Sequence, residues 1–173
     1  MDIISLVEKA KKQDKEALTQ LVLKEKDNYY RLAFSFMKNQ HDSMDMVSEM
    51  ILILYDNIKN LKDNEKFYSW SKTILVNLCK KALKDRNKII DLDSVKDSST
   101  SLDDTMEEEM DIDLYIDKLS KKHKEVIRLR YFLDMDYATI SEVLKIPIGT
   151  VKSRINKGLS DLREMVRGDE YYG

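Results

Sequence analysis

The sequence predicts an all-α protein: two small helical domains joined by an acidic flexible linker, the C-terminal one containing a helix-turn-helix. Three observations predict it. Four glycines and one proline in 173 residues leave little material for tight turns and bulges, while Leu, Lys, Glu, Ile and Met are abundant, which favours helices over sheets. Apolar residues recur at helical spacing toward both ends of the chain. The formal net charge of -2 conceals a split: residues 1–90 carry 17 basic and 13 acidic side chains, residues 91–113 one and ten, and residues 114–173 twelve and nine.

In the first domain, residues 1–90, the set Ile3, Ile4, Val7, Ala10, Ala17, Leu18, Leu21 and Val22 is broken by the polar "KKQDKE", so two short helices are expected. "NYYRLAFSFMKN" continues with Tyr29, Leu32, Ala33 and Phe36 on one face. "DSMDMVSEMILILYDNIKNL" predicts a longer helix, capped by Asp42 or Ser43, with Met46, Val47, Met50, Ile51, Leu54 and Ile58 as a core stripe. After "KDNE" the periodicity resumes in "KFYSWSKTILVNLCKKALKDR". Cys79 lies in that stretch and reads as a packed small hydrophobe.

Residues 91–113, "DLDSVKDSSTSLDDTMEEEMDID", combine mutually repelling acids with a Ser/Thr cluster and few large apolar side chains, too few to offset the entropy of ordering them. They read as the linker. Its acidity suits either a nucleic-acid mimic lying along a basic channel or a plain soluble spacer.

In the second domain, residues 114–173, Leu114, Ile116, Leu119, Val126, Ile127, Leu129 and Phe132 predict one helix and another starting near Ser120. "DMD" interrupts, "YATISEVLKI" forms a short helix, "PIGT" a turn, and a further helix starts at Thr150, its expected cap. Two short helices around a brief turn make a helix-turn-helix, whose second helix lies in the DNA major groove. Ile140, Val143, Leu144, Ile146, Val151, Ile155 and Leu159 supply its seam. Lys152, Ser153, Arg154, Asn156 and Lys157 occupy positions that include the outward face. Glutamates do not interleave these cations at i,i+4 in the first two turns, so phosphate neutralisation explains the charge better than self-pairing.

Several classes are disfavoured. No run approaches a membrane span, and the first residues lack a basic segment followed by an apolar core, so a cytoplasmic protein is expected. One cysteine and two histidines, His41 and His123, provide no ligand set at metal spacing. Neither a Gly-rich phosphate loop nor a nucleophile and base constellation is visible, so no enzyme, cofactor or small-molecule substrate is expected.

"YATISEVLKIPIGTVKSRINKGLSDLR" resembles the promoter-reading C-terminal domain of the two-domain sigma factors of the extracytoplasmic function (ECF) group, in the sigma-70 superfamily; "GTVKSR" with Lys157, Leu162 and Arg163 is the most specific part. "HDSMDMVSEMILILYDNI" resembles the family's acidic helix, with Asp45, Met46, Val47 and Glu49 matching Asp-Leu-Val-x-Glu. "FYSWSKTILVNLCKKALK" resembles its Phe-x-x-Trp helix, with Phe67, Trp70, Ile74 and Asn77 in register. The resemblance spans about residues 5 to 165. There are departures: Ser48 replaces a Gln, Lys81 an acid, Lys84 an Arg, Ser120 a Pro, and Lys145 the usual turn Gly.

The resemblance implies a transcription initiator that binds core RNA polymerase through its β' and β subunits and directs it to promoter DNA, commonly restrained by an anti-sigma factor. It assigns Asp42, Asp45, Met46 and Glu49 to docking on the β' coiled coil. It assigns Phe67, Trp70, Lys72, Asn77, Lys80, Lys81 and Lys84 to the -10 element, where the Asn60 to Lys66 loop could cradle an extruded base. Trp70, spaced with Phe67 and Ile74, fits a core aromatic better than a DNA contact. Lys152, Ser153, Arg154, Asn156 and Lys157 are assigned to the -35 element. The alternative is a helix-turn-helix regulator that binds DNA without polymerase.

Overall fold

The computed structural model describes residues 1–92 and 107–172. Among them the elements are α1 (Ile3–Lys11), α2 (Lys15–Lys24), α3 (Lys26–Met37), α4 (Gln40–Asn57), α5 (Phe67–Leu92), α6 (Glu107–Asp117), α7 (Lys121–Ile127), α8 (Tyr137–Leu144) and α9 (Ile148–Tyr172), with no strand. The chain divides into two compact units, the first built on Met1–Leu92 and the second containing most of the C-terminal helices.

In the first unit α1 packs on α2, and α3, α4 and α5 pack on one another. Asp2 and Asp14 cap α1 and α2 by accepting from the backbone N–H groups of Ser5 and Ala17. Leu6, Val7, Ala10, Ala17, Leu18, Leu21 and Val22 are buried, with Tyr29, Leu32 and Ala33 from α3. Leu6 completes the N-terminal set, whereas Ile4 stands 41% exposed. The α4 stripe is narrower than its periodicity predicts. Met50, Leu54 and Ile58 are buried, but Met46, Val47 and Ile51 are only partly covered. From α5, Phe67, Leu75, Val76 and Cys79 complete the core, each large side chain contributing roughly 1.5–3 kcal/mol by leaving water.

The cap of α4 is Asn39, one turn earlier than expected. Its side-chain oxygen accepts from the Asp42 N–H at 2.8 Å, while the Ser43 hydroxyl is buried and donates to the Asn39 carbonyl at 2.6 Å. The preceding Lys38 ends α3 in the left-handed region, which turns the chain sharply enough to begin the new helix at once.

In the second unit α9 packs on α7 and on α6. Ile116, Leu119, Val126, Ile127, Leu129, Ile140, Val151 and Ile155 are buried, while Leu114 and Phe132, part of the apolar set read from sequence, are 60% and 43% exposed. Helix α7 runs into a wide π-type turn, Arg128–Phe132, which widens the spacing and leaves Phe132 facing outward. The buried Arg128 donates to Asp117 at 3.0 Å and lies 3.8 Å from Asp113, tying α6 to this turn. Asp136 caps α8 by accepting from the Thr139 N–H at 2.7 Å. Helix α9 starts at Ile148, so Thr150 lies in its first turn and is not the cap; the Val151 N–H already bonds the Pro147 carbonyl.

Of the acidic tract, residues 93–106 lie outside the described residues. Residues 107–113, read from sequence as linker, belong to α6. Glutamate and methionine are good helix formers, and the Arg128 contacts give this helix a partner that composition alone does not reveal.

Candidate nucleic-acid and docking interfaces

At 3.6 residues per turn, Asp45, Glu49, Leu52 and Asp56 fall on the side of α4 opposite Met50, Leu54 and Ile58. All four are exposed, Leu52 to 66%. This is an acidic stripe with an apolar side chain at its middle. His41 adds a side chain 3.5 Å from Asp45. Met46 lies partly covered on the flank. Asp42 is placed differently: its carboxylate accepts from Asn39 and Arg86, and these bonds hold its pKa below the ordinary value. Leu52 was missed from sequence because an apolar residue among apolar residues looks like core; its offset from Met50 and Leu54 was the available signal.

On α5 the residues matched to the -10 helix separate into three groups. Phe67 is fully buried, its ring edge-on to Tyr68 at 5.3 Å and tilted against Trp70 at 6.2 Å. In this structure it packs within the core and supports the ring of Trp70. Trp70 is half-buried beside it. Lys72, with a side chain only 16% exposed, pairs with Glu25 at 3.3 Å and is engaged within the protein. Asn77, Lys81 and Lys84 are exposed, and Lys80 is partly covered.

The loop before α5 is shaped by two short 3-10 turns, Ile58–Asn60 and Asn64–Lys66. Leu61 is buried and anchors it, Asp63 accepts from the Glu65 N–H at 3.0 Å, and Lys11 of α1 donates to the Asn64 side chain.

On α9, Val151, Ile155 and Gly158 face inward, and Lys152, Ser153, Asn156, Lys157 and Ser160 are exposed on the other side. Arg154 is partly covered at the border between them. Lys157 pairs with Asp161 at 2.8 Å, and that hydrogen bond raises its pKa. Ser160, one turn beyond Asn156 on the same face, was not singled out from sequence. Of the residues expected in the seam of the helix-turn-helix, Ile140, Val151 and Ile155 are buried, while Leu144, Ile146 and Leu159 are partly covered.

The family model "Sigma-70 region 2" matches residues 21–89, and "Sigma-70, region 4" matches residues 109–162. RNA polymerase sigma factor SigV of Bacillus subtilis (strain 168) is 31% identical over 159 residues, covering 90% of this chain and 94% of its own length. ECF RNA polymerase sigma factor SigW of the same organism is 29% identical over 183 residues, covering 96% and 98%. The chain is an RNA polymerase sigma factor of the ECF group.

As a sigma factor it directs core polymerase to promoters, and the alternative of a regulator acting without polymerase gives way. Sigma factors recognise DNA and regulate transcription. The fold is shared with solved sigma factors. CnrH, in complex with the cytosolic domain of CnrY, superposes with a TM-score of 0.71 at 20% identity, covering 96% of this chain and 98% of that one. The sigma factor RpoE from Bartonella quintana, in complex with the anti-sigma factor NepR, gives 0.72 at 20%, covering 86% and 96%. Among the described residues of this sigma factor no helix is long and apolar enough to cross a membrane.

Proposed function

We propose that this sigma factor divides promoter recognition between its two helical domains, residues 1–90 and 114–173, joined by the acidic segment 91–113. Helix α4 docks on a basic coiled coil of core polymerase through Asp45, Glu49 and Leu52, complementary charge setting register and on-rate and the apolar side chain adding buried contact. Asp42 and Met46 support that face from its edge. Trp70, Asn77, Lys80, Lys81 and Lys84 meet the -10 element, with Phe67 holding Trp70 and Lys72 braced by Glu25. Lys152, Ser153, Asn156, Lys157 and Ser160 face the -35 element, and Arg154 grips a flanking phosphate.

The observation that carries the reading is the opposition of faces on α4: the acids and Leu52 lie outward while Met50, Leu54 and Ile58 are buried. Such a helix is already packed in its own domain and still presents an acidic, partly apolar surface to a partner. Two solved relatives of the fold are bound to CnrY and NepR. By analogy an anti-sigma partner restrains this chain, which acts in the cytoplasm and catalyses no reaction of its own.

Run-off transcription with purified core polymerase and a panel of candidate promoters tests the proposal. Promoter-selective transcripts are expected from the wild type, and Glu49→Lys together with Leu52→Asp should abolish both core binding and transcripts. Full core binding by that variant would reject α4 as the docking face.

A further inference from the structure

Helices α7 and α9 approach closely at Gly158, where an added Cβ would lie 3.5 Å from Cβ of His123. This approach sets the His123 imidazole against the turn of α9 that holds Lys157 and Asp161. The ring is largely covered, its side chain 12% exposed, whereas the Lys157 side chain is 62% exposed. Asp161 stands between them and turns one carboxylate oxygen to each. Oδ1 lies 2.8 Å from Nζ of Lys157, and Oδ2 lies 3.8 Å from Nδ1 of His123.

The other group near Nδ1 is the Ser120 hydroxyl, at 2.8 Å. A neutral imidazole with its proton on Nε2 accepts from that hydroxyl and offers Asp161 no proton. A protonated one carries an N–H on both nitrogens, so the hydroxyl turns to accept and a positive ring faces the carboxylate. From 3.8 Å a small side-chain rotation brings the two to hydrogen-bond distance, where a charge-assisted bond is stronger than a neutral one. Asp161 is then divided between two cations, and its hold on Lys157 weakens.

The charges around the ring are committed elsewhere or point away. On its own helix Lys121 and Lys122 are exposed and Glu125 is partly covered. Lys124 pairs with Asp117 of α6 at 3.7 Å, and Arg128, in the turn that follows, is bound to the same Asp117. From α9, Asp161 faces the ring directly, Lys157 is linked to it through Asp161, and Glu164 acts on Lys157 from the turn beyond.

We infer that His123 and Asp161 are positioning residues for DNA binding that act through Lys157. A neutral His123 leaves Asp161 holding the lysine back from phosphate; a protonated His123 draws the carboxylate toward itself and releases the lysine. Affinity for the upstream element therefore rises as pH falls. The inference rests on the proposed reading of the exposed face of α9.

The test uses reconstituted holoenzyme and a promoter on which the wild type is selective. The slope of log affinity against log salt is measured at about pH 6 and about pH 8, which bracket the range in which histidine ordinarily changes charge. Titration of polymerase itself is common to all variants and cancels when they are compared. His123→Gln keeps a partner for Ser120 and takes up no proton. Relative to it, the wild type should steepen by up to about one between the higher and the lower pH. Lys157→Ala should lower the slope more at the lower pH than at the higher. Asp161→Asn should give the steeper slope at both, and His123→Gln added to it should change nothing further. Asparagine has nearly the shape of aspartate, so this arm holds even if His123→Gln weakens the fold. Equal pH dependence in the wild type, His123→Gln and Asp161→Asn overturns the proposal. So does an effect of His123→Gln that persists in the Asp161→Asn background, because it then does not pass through Asp161. Slopes unaltered by both Lys152→Ala and Lys157→Ala would instead overturn the reading of α9 on which the inference rests.

Discussion

Asp42, in the first turn of α4, and Arg86, far along α5, are joined by a carboxylate to guanidinium contact across 44 residues of sequence. Asn39 completes the arrangement: its amide donates to the same carboxylate at 2.7 Å, and its oxygen caps α4 through the Asp42 N–H. Helices α4 and α5 are thus fastened together at this corner. The carboxylate of Asp42 is occupied in doing so, which leaves Asp45, Glu49 and Asp56 as acids presented outward on α4.

These bonds lower the Asp42 pKa, the Asn39 hydrogen bond most and Arg86 next. A depressed folded-state value contributes stability that is present above the unfolded value and is lost as pH falls through the folded one. In an NMR titration the Asp42 midpoint should lie below 3.8. Asn39→Ala and Arg86→Ala should each raise it. Asn39→Ala also removes a helix cap, at about 1 kcal/mol in denaturant unfolding, whereas the well-solvated Arg86 pair should cost less than about 1 kcal/mol. Equal midpoints in wild type and both variants would contradict the assignment.

The buried pair Tyr29 and Ser71 makes an asymmetric prediction. Their hydroxyls are 2.7 Å apart, and Ser71 also donates to the Tyr68 carbonyl at 2.9 Å. Burial pushes the Tyr29 phenol up, so it stays protonated and donates to Ser71. Tyr29→Phe leaves Ser71 its second partner and should cost about 0.5–1.5 kcal/mol. Ser71→Ala strands the phenol in the core and should cost more, about 1–3 kcal/mol. Denaturant midpoints in the reverse order would show that the phenol finds another partner.

Both this core and the helix order were legible in the sequence, because apolar spacing reports which side of a helix is covered. Caps were less legible. Asn39, Asp42 and Ser43 all have capping side chains, and the choice depends on Lys38 adopting a left-handed conformation, which a lysine does not advertise. Phe67 and Lys72 matched a DNA-reading motif, yet one is buried and the other paired with Glu25, because motif spacing fixes position along a helix and not what packs against it. The helical state of residues 107–113 was hidden for a similar reason: Arg128, which engages Asp113 and Asp117, is distant in sequence from the acids.

Lys145 shows a departure from the family pattern with a measurable cost. It occupies the left-handed region at φ 55° in the turn between α8 and α9, a conformation that favours Gly. A side chain there is disfavoured by roughly 1–2 kcal/mol. Lys145→Gly should therefore raise stability by about 1 kcal/mol, part of the gain being lost to the greater freedom of glycine in the unfolded chain. A thermal midpoint that falls would mean that the lysine side chain makes a compensating contact.

Gly158 lies where α9 crosses α7. A Cβ at this position would come 3.0 Å from Cγ1 and 3.3 Å from Cδ1 of the buried Ile127. Alanine gains about 1 kcal/mol of helix propensity but meets a stiff β-branched neighbour, and overpacking costs about 1–3 kcal/mol. Gly158→Ala should be net destabilising, and in an Ile127→Ala background the same change should become neutral or stabilising. A double-mutant cycle without coupling would exclude the contact as the cause.

On the exposed face of α9 proposed to meet DNA, the ion pair between Lys157 and Asp161 decides how the basic residues rank. Lys157 already has an anion at 2.8 Å, and binding phosphate means sharing it between two negative groups. Lys152 is exposed and makes no salt bridge among the described residues, so it releases a counterion more fully. Lys152→Ala should lower the salt slope of holoenzyme binding by about one and Lys157→Ala by less. Asp161→Asn should tighten binding and steepen the slope, because it frees Lys157 for the duplex. Arg154, at the border of the buried seam, reaches outward along its long side chain, and Arg154→Ala should weaken footprinting of the upstream element while leaving core polymerase binding intact. An unchanged footprint would reject Arg154 as a contact, and an Asp161→Asn variant that binds more weakly would show that the carboxylate orients Lys157 instead of competing for it.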